Sequence, residues 1–100
     1  MTRSLFLNSL DSSSPPESFD PYFKALWYIF NDDWQSAHVI VDGPPGSIFA
    51  LLHAVVHRME GDRWNANYWY RRAGKSFPEL DFKEERQELL DHLLEETDSI

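Results

Sequence analysis

The chain of 100 residues contains no cysteine. A disulfide framework and a thiolate metal site are therefore excluded, and the composition either fits a reducing compartment or leaves the compartment open. Long hydrophobic runs are also absent. The N-terminal segment offers only residues 5–7 as an apolar run, whereas a signal core needs about 7 to 15 apolar residues and a membrane span about 20. We expect a single cytoplasmic domain with no membrane partner.

Positive charge is scarce in this sequence. Nine Lys and Arg residues stand against 17 Asp and Glu residues, which gives a net charge of -8. General nucleic-acid binding is disfavoured, because the acidic field repels phosphate. Residues 56–78 are the exception, with five basic and two acidic side chains. One interpretation is that Arg71, Arg72 and Lys75 compensate a helix C-terminus and pair with the acidic last helix.

The patterns of nucleophilic and nucleotide-dependent catalysis are missing as well. Ser47 is explained as a helix cap and Ser76 as a turn residue, so spacing suggests no Ser-His-Asp arrangement. The segment 43–46, GPPG, is a turn whose prolines lack the N–H groups that a phosphate cradle needs. We therefore predict no catalytic residues and expect a binding protein in preference to an enzyme.

Apolar periodicity and turn residues predict an all-α fold of about five helices over residues 20–100, preceded by a flexible Ser- and Pro-rich tail over residues 1–19. An acidic turn at residues 31–33 joins the first two helices into a hairpin. A second hairpin turns at Gly61 and Asp62, where glycine ends one helix and aspartate caps the next. An amphipathic helix with one acidic face follows Asp81.

The second hairpin carries Gly61-Asp62, Ala66, Tyr70 and Arg72-Ala73, and so resembles the tetratricopeptide repeat. Ala66 matches Ala37 of the first hairpin at an offset of 29 residues, which is shorter than the usual repeat of about 34. The resemblance covers about 55 residues, lacks the usual Leu-Gly pair, and implies a partner-binding scaffold without catalytic residues. Two packed hairpins alone leave an apolar face uncovered at each end of the array. The last helix can cover one end, and a second copy of the chain, forming a homodimer, is a candidate for the other.

A further resemblance lies in residues 65–74. The string NANYWYRRAG is similar to one in a family of small bacterial proteins of unknown role. This resemblance implies no function.

A candidate metal site consists of His53, His57 and Glu60, which lie at i, i+4 and i+7 on one helix face. These side chains can supply three ligands to a zinc or iron ion, and His38 a fourth. The zinc-protease motif is excluded because Ala54 stands where that motif needs glutamate. The alternative is that the imidazoles are buried and hydrogen-bonded, with Glu60 holding His57. No cofactor is expected unless a divalent metal binds here.

The helix over residues 63–73 also carries candidate binding residues. Ala66, Trp69, Tyr70 and Ala73 form the stripe that should pack inward. Tryptophan and arginine are enriched at interface hot spots, and asparagine is a poor helix former whose amide is typically engaged in a bond. The predicted ligand- or partner-binding residues are His57, Glu60, Trp64, Asn67, Arg71 and Arg72. We expect a helical module that binds a protein partner or a small anionic ligand; the alternative is a metal-binding or hydrolytic protein with its polar site on His53, His57 and Glu60.

Overall fold

The computed structural model describes residues 1–98, which form six α-helices and no β-strand. The helices are α1 (Arg3–Ser9), α2 (Pro21–Phe30), α3 (Trp34–Val41), α4 (Ser47–Glu60), α5 (Arg63–Arg72) and α6 (Phe82–Asp98). The all-α prediction is confirmed, and the expected count of five was one too low. None of the helices within this described range is long and apolar enough to cross a bilayer.

The additional helix is α1, which lies inside the segment that we expected to be a flexible tail. Thr2 caps this helix by accepting a hydrogen bond from the Leu5 N–H at 3.1 Å. Phe6 is fully buried, and its ring lies 6.2 Å from that of Phe23 and 5.3 Å from that of Phe30. The structure differs from the expectation because these partners lie far along the chain, where no local periodicity reveals them.

The two hairpins turn where the sequence predicted. At the α4–α5 turn, Gly61 has a φ of 87°, in the left-handed region that glycine enters without steric cost. Asp62 then caps α5, because its carboxylate accepts from the Asn65 N–H at 3.1 Å. Ser47 does not cap α4 as expected. It is the first helical residue, and Gly46 holds the cap position without a side-chain bond.

The last helix packs against α2 and α1. Its apolar stripe includes Leu89, Leu90 and Leu93, which are all buried. The predicted cap is present, since the Asp81 carboxylate accepts from the Glu84 N–H at 2.9 Å. The core therefore consists of the two hairpins closed along one side by α6 and α1.

A buried polar network connects α6 to α4 and α5. Arg58 donates to the Glu85 carboxylate at 2.8 Å and to the Leu80 carbonyl at 2.7 Å. The Tyr70 hydroxyl donates to the other oxygen of the same carboxylate. Burial, reinforced by this hydrogen bond, raises the pKa of Tyr70 above its usual range, so the phenol remains a donor. The network fixes the position of α6 relative to the second hairpin.

Candidate functional site

The outer face of α5 presents two exposed aromatic side chains one helical turn apart. Trp64 is 77% exposed and Tyr68 is 46% exposed. Arg71 and Arg72 are exposed on the same helix. Together with Asn67, these four residues line a depression of about 400 Å³. We call these five residues the α5 outer face. It includes four of the six binding residues that the sequence predicted.

The basic residues of this region are not paired with the acidic last helix. Among residues 1–98, no ion pair involves Arg71, Arg72 or Lys75. Two acidic side chains of α6 form ion pairs with other helices, Asp91 with Arg3 of α1 and Glu85 with Arg58 of α4. The expected pairing was therefore wrong, because where α6 meets the end of α5 the Glu85 carboxylate binds Arg58 and the Tyr70 hydroxyl.

The two arginines of the α5 outer face differ in what they contact. The Arg72 guanidinium lies 5.7 Å from the Tyr68 ring centre and 5.5 Å from that of Trp69. It also donates a long hydrogen bond of 3.4 Å to the Tyr68 hydroxyl. The Arg71 side chain has no hydrogen bond, ion pair or ring contact within the described residues. Both guanidinium groups are thus available to an anionic partner.

The inner face of α5 confirms the predicted stripe. Ala66 and Tyr70 are buried, and Trp69 is partly buried. The two asparagines serve different purposes. The Asn65 amide donates to Asp62 at 2.6 Å, which completes the helix cap, whereas no hydrogen bond engages the Asn67 amide in the described chain. Only one asparagine is therefore explained by local structure.

A second polar site lies where α3 meets α4, and we call it the histidine cluster: His38, His53 and His57. The Nε2 atoms of His38 and His53 are 3.2 Å apart. The rings of His53 and His57 stack with their centres 4.9 Å apart. One ring nitrogen from each histidine lies within 4.8 Å of the other two. His38 thus lies beside the two histidines of α4, and the expectation that it binds a metal ion with them remains a prediction.

The histidine cluster is held in a largely apolar setting. His53 is only 3% exposed, and the Trp69 ring stacks on it with centres 3.9 Å apart and planes 14° apart. Burial, together with the neighbouring His57 and His38, lowers the pKa of His53 to about 4. The His53 imidazole is therefore neutral at pH 7, with one ring nitrogen free to accept a hydrogen bond or bind a metal.

Glu60 contacts the cluster from its outer side. The Nδ1 atom of His57 lies 3.0 Å from the Glu60 carboxylate. A carboxylate only accepts, so this contact places the proton on Nδ1 and leaves the Nε2 lone pair free. Of the predicted set of His53, His57 and Glu60, the structure brings the two histidines together with His38, and Glu60 orients His57.

Sequence reasoning grouped residues that the structure divides between two sites. His57 and Glu60 belong to the histidine cluster, whereas Trp64, Arg71 and Arg72 belong to the α5 outer face. Tyr68 was not among the predicted binding residues. Its position four residues after Trp64, which places both rings on one side of a helix, was the signal that could have identified it.

Comparison with known proteins found no relative of this chain. No family model, curated protein or solved structure matches the chain. The tetratricopeptide-like interpretation and the similarity of residues 65–74 to a bacterial family therefore remain predictions. The functional interpretation depends on the chemistry of the two sites.

Proposed function

We propose that this chain is a helical recognition module that binds an acidic segment of a partner protein through the α5 outer face. One observation carries the proposal: Trp64 and Tyr68 are exposed beside two arginines that have no carboxylate partner. This absence of pairing, within residues 1–98, occurs in a protein with 17 acidic side chains. A partner segment rich in Asp and Glu would supply the missing carboxylates.

The residue types on this face are those that contribute most to binding free energy. Tryptophan, tyrosine and arginine dominate interface hot spots. The planar guanidinium matches a carboxylate with two parallel hydrogen bonds, which makes Asp and Glu its natural partners. The depression of about 400 Å³ is lined by residues of a single helix, whereas sites for small molecules typically enclose most of the ligand surface. The shape therefore favours a peptide segment over a small anion.

The proposal includes the tetratricopeptide-like arrangement of the hairpins α2–α3 and α4–α5. Ala37 and Ala66, which occupy equivalent places in the two hairpins, are both fully buried. A small side chain there allows the paired helices to approach closely, as in helical repeats that present a helix face to a partner. We also propose a cytoplasmic location, since a chain without cysteine needs no oxidising compartment.

The proposal is tested by selecting peptides from a random displayed library on the immobilised protein. Peptides selected by the wild-type protein should be enriched in Asp and Glu. Trp64→Ala and the double variant Arg71→Ala, Arg72→Ala should each weaken binding of a selected peptide by about 2 kcal/mol or more, roughly 30-fold. The affinity should fall with ionic strength, because salt screens exposed charges beyond about 8–10 Å.

Val39→Ala is the matched control, because Val39 is 78% exposed on α3, outside the α5 outer face. It should leave the affinity unchanged. Selected peptides without acidic enrichment, or equal affinity in the Trp64→Ala variant, would contradict the proposal. If sedimentation instead showed a dimer that the arginine variant dissociates, the acidic partner would be a second copy of this chain, and the proposal of a separate protein partner would be wrong.

A further inference from the structure

The histidine cluster has a geometry that a hydrogen-bonded pair does not require. Two nitrogens bound to one tetrahedral zinc ion lie about 3.3 Å apart, since each Zn–N bond is about 2.0–2.1 Å. The Nε2 atoms of His38 and His53 are 3.2 Å apart. That separation also suits one hydrogen bond, but a nitrogen of a third imidazole lies within 4.8 Å of both. Three imidazole nitrogens that converge in this way form a ligand set that one metal ion can bind.

The helices hold the three rings in place before any ion binds. His53 and His57 are four residues apart on α4, so their side chains project from one face of the helix. His38 reaches the same point from α3, which packs against α4. The Trp69 ring from α5 covers His53 and restricts its orientation. Little conformational freedom remains to be lost on metal binding, which favours affinity.

The charge around the cluster also suits a cation. The carboxylates of Asp42 and Glu60 lie close enough to act electrostatically on His53. The hydrogen bond from His57 to Glu60 is the arrangement that metal-bound histidines commonly make, because it fixes the tautomer and raises the basicity of the binding nitrogen.

We propose that His38, His53 and His57 bind one divalent transition-metal ion of the nitrogen-preferring class, of which Zn²⁺ is the probe of choice, and that Glu60 positions His57. Three neutral imidazoles favour zinc, nickel or copper over magnesium and calcium, which prefer oxygen ligands. Three protein ligands leave a fourth tetrahedral position for water or another ligand. This site is independent of the α5 outer face, so failure of either proposal leaves the other intact.

A second set of possible metal ligands, two of them carboxylates, lies nearby but is less suited to a metal ion. His57, Glu60 and Asp62 also have ligand atoms within 4.8 Å of one another. The Asp62 carboxylate is already engaged, since it accepts from the backbone N–H and the amide of Asn65 at 3.1 and 2.6 Å. Binding of a metal ion by Asp62 would disrupt the N-terminal cap of α5. At the histidine cluster, a metal ion would replace only the contact between the Nε2 atoms of His38 and His53.

The test is a Zn²⁺ titration of the untagged full chain by calorimetry, with thermal unfolding measured in the presence of zinc and of chelator. We expect one zinc ion per chain and an unfolding midpoint that rises with zinc and falls back with chelator. His38→Ala should weaken zinc binding by more than roughly 100-fold. Glu60→Gln, which removes the charge that orients His57, should weaken it by roughly 10-fold and keep the stoichiometry at one.

His92→Ala is the matched control, because His92 is the remaining histidine of the chain and lies on α6 outside the cluster. The zinc affinity of the His92→Ala variant should equal that of the wild type. If His38→Ala does not fold, Glu60→Gln decides, since that change is conservative and lies at the rim. The proposal is overturned if the wild type binds no more zinc than the His38→Ala variant. It is also overturned if zinc binding persists in that variant and is lost in Asp62→Ala, or if Glu60→Gln binds zinc as tightly as the wild type.

Discussion

Replacing Phe6 with alanine should lower the free energy of unfolding by about 3–5 kcal/mol, the usual cost of removing a buried aromatic ring and leaving a cavity. Phe6 is 0% exposed and packs against Phe19, Phe23 and Phe30. Few neighbouring atoms can move into the vacated space, because three rigid rings line it. Urea unfolding followed by circular dichroism measures the change.

The neighbouring residue on α1 provides the control. Leu5 is 55% exposed, so Leu5→Ala should change stability by no more than about 0.5 kcal/mol. If Phe6→Ala has an effect as small as Leu5→Ala, then α1 does not contribute to the core. Residues 1–19 would in that case be the flexible tail that the sequence predicted.

Replacing Arg58 with methionine should cost about 3–5 kcal/mol, since it leaves the Glu85 carboxylate buried without its charged partner. The two side chains are only 17% and 9% exposed, so water cannot replace the lost contact. The Tyr70 hydroxyl would remain as a single neutral donor to that carboxylate. Methionine keeps most of the aliphatic volume of arginine, so the loss reports on charge and hydrogen bonding. Thermal and urea unfolding measure it.

Two further variants separate this effect from a general effect of arginine removal. Arg63 is exposed, and among residues 1–98 its guanidinium has no ion pair and lies 4.0 Å from the centre of the Phe77 ring, so Arg63→Met should cost less than about 1 kcal/mol. Adding Glu85→Leu to Arg58→Met should restore part of the lost stability, because both buried charges are then absent. Equal losses for Arg58→Met and Arg63→Met would show that the buried network does not stabilise the fold.

The hairpins could be predicted from the sequence because their signals are local. Gly61 and Asp62 encode the end of one helix and the start of the next within two residues, and Asp81 encodes the start of α6 with its own cap. Helix α1 could not be predicted in this way. Its stability depends on Phe6 meeting rings from α2 and the segment before it, and no pattern within a seven-residue helix records contacts of that kind.

The candidate sites were predictable to different degrees for the same reason. The spacing of His53 and His57 on one helix placed both in a common cluster, and Trp64, Arg71 and Arg72 were identified by residue type. The role of Glu60 was not fixed by spacing, because i+3 from His57 suits both a metal ligand and a hydrogen-bonded neighbour. Only the distances showed that the third ring nitrogen near those of His53 and His57 comes from His38. They also showed that the Glu60 carboxylate contacts the Nδ1 atom of His57.

The packing of α6 against α1 and α2 changes the kind of unfolding expected of a chain with two repeat-like hairpins. An open array of helical repeats unfolds from its ends, one unit at a time, because each unit contacts only its neighbours. Here Asp91 of α6 pairs with Arg3 of α1, 88 positions away in sequence. Separating either hairpin from the rest therefore also breaks contacts made by the first and last helices. We therefore expect the protein to unfold as one cooperative unit, in which damage at α1 weakens the frame that holds both α5 and the histidine cluster.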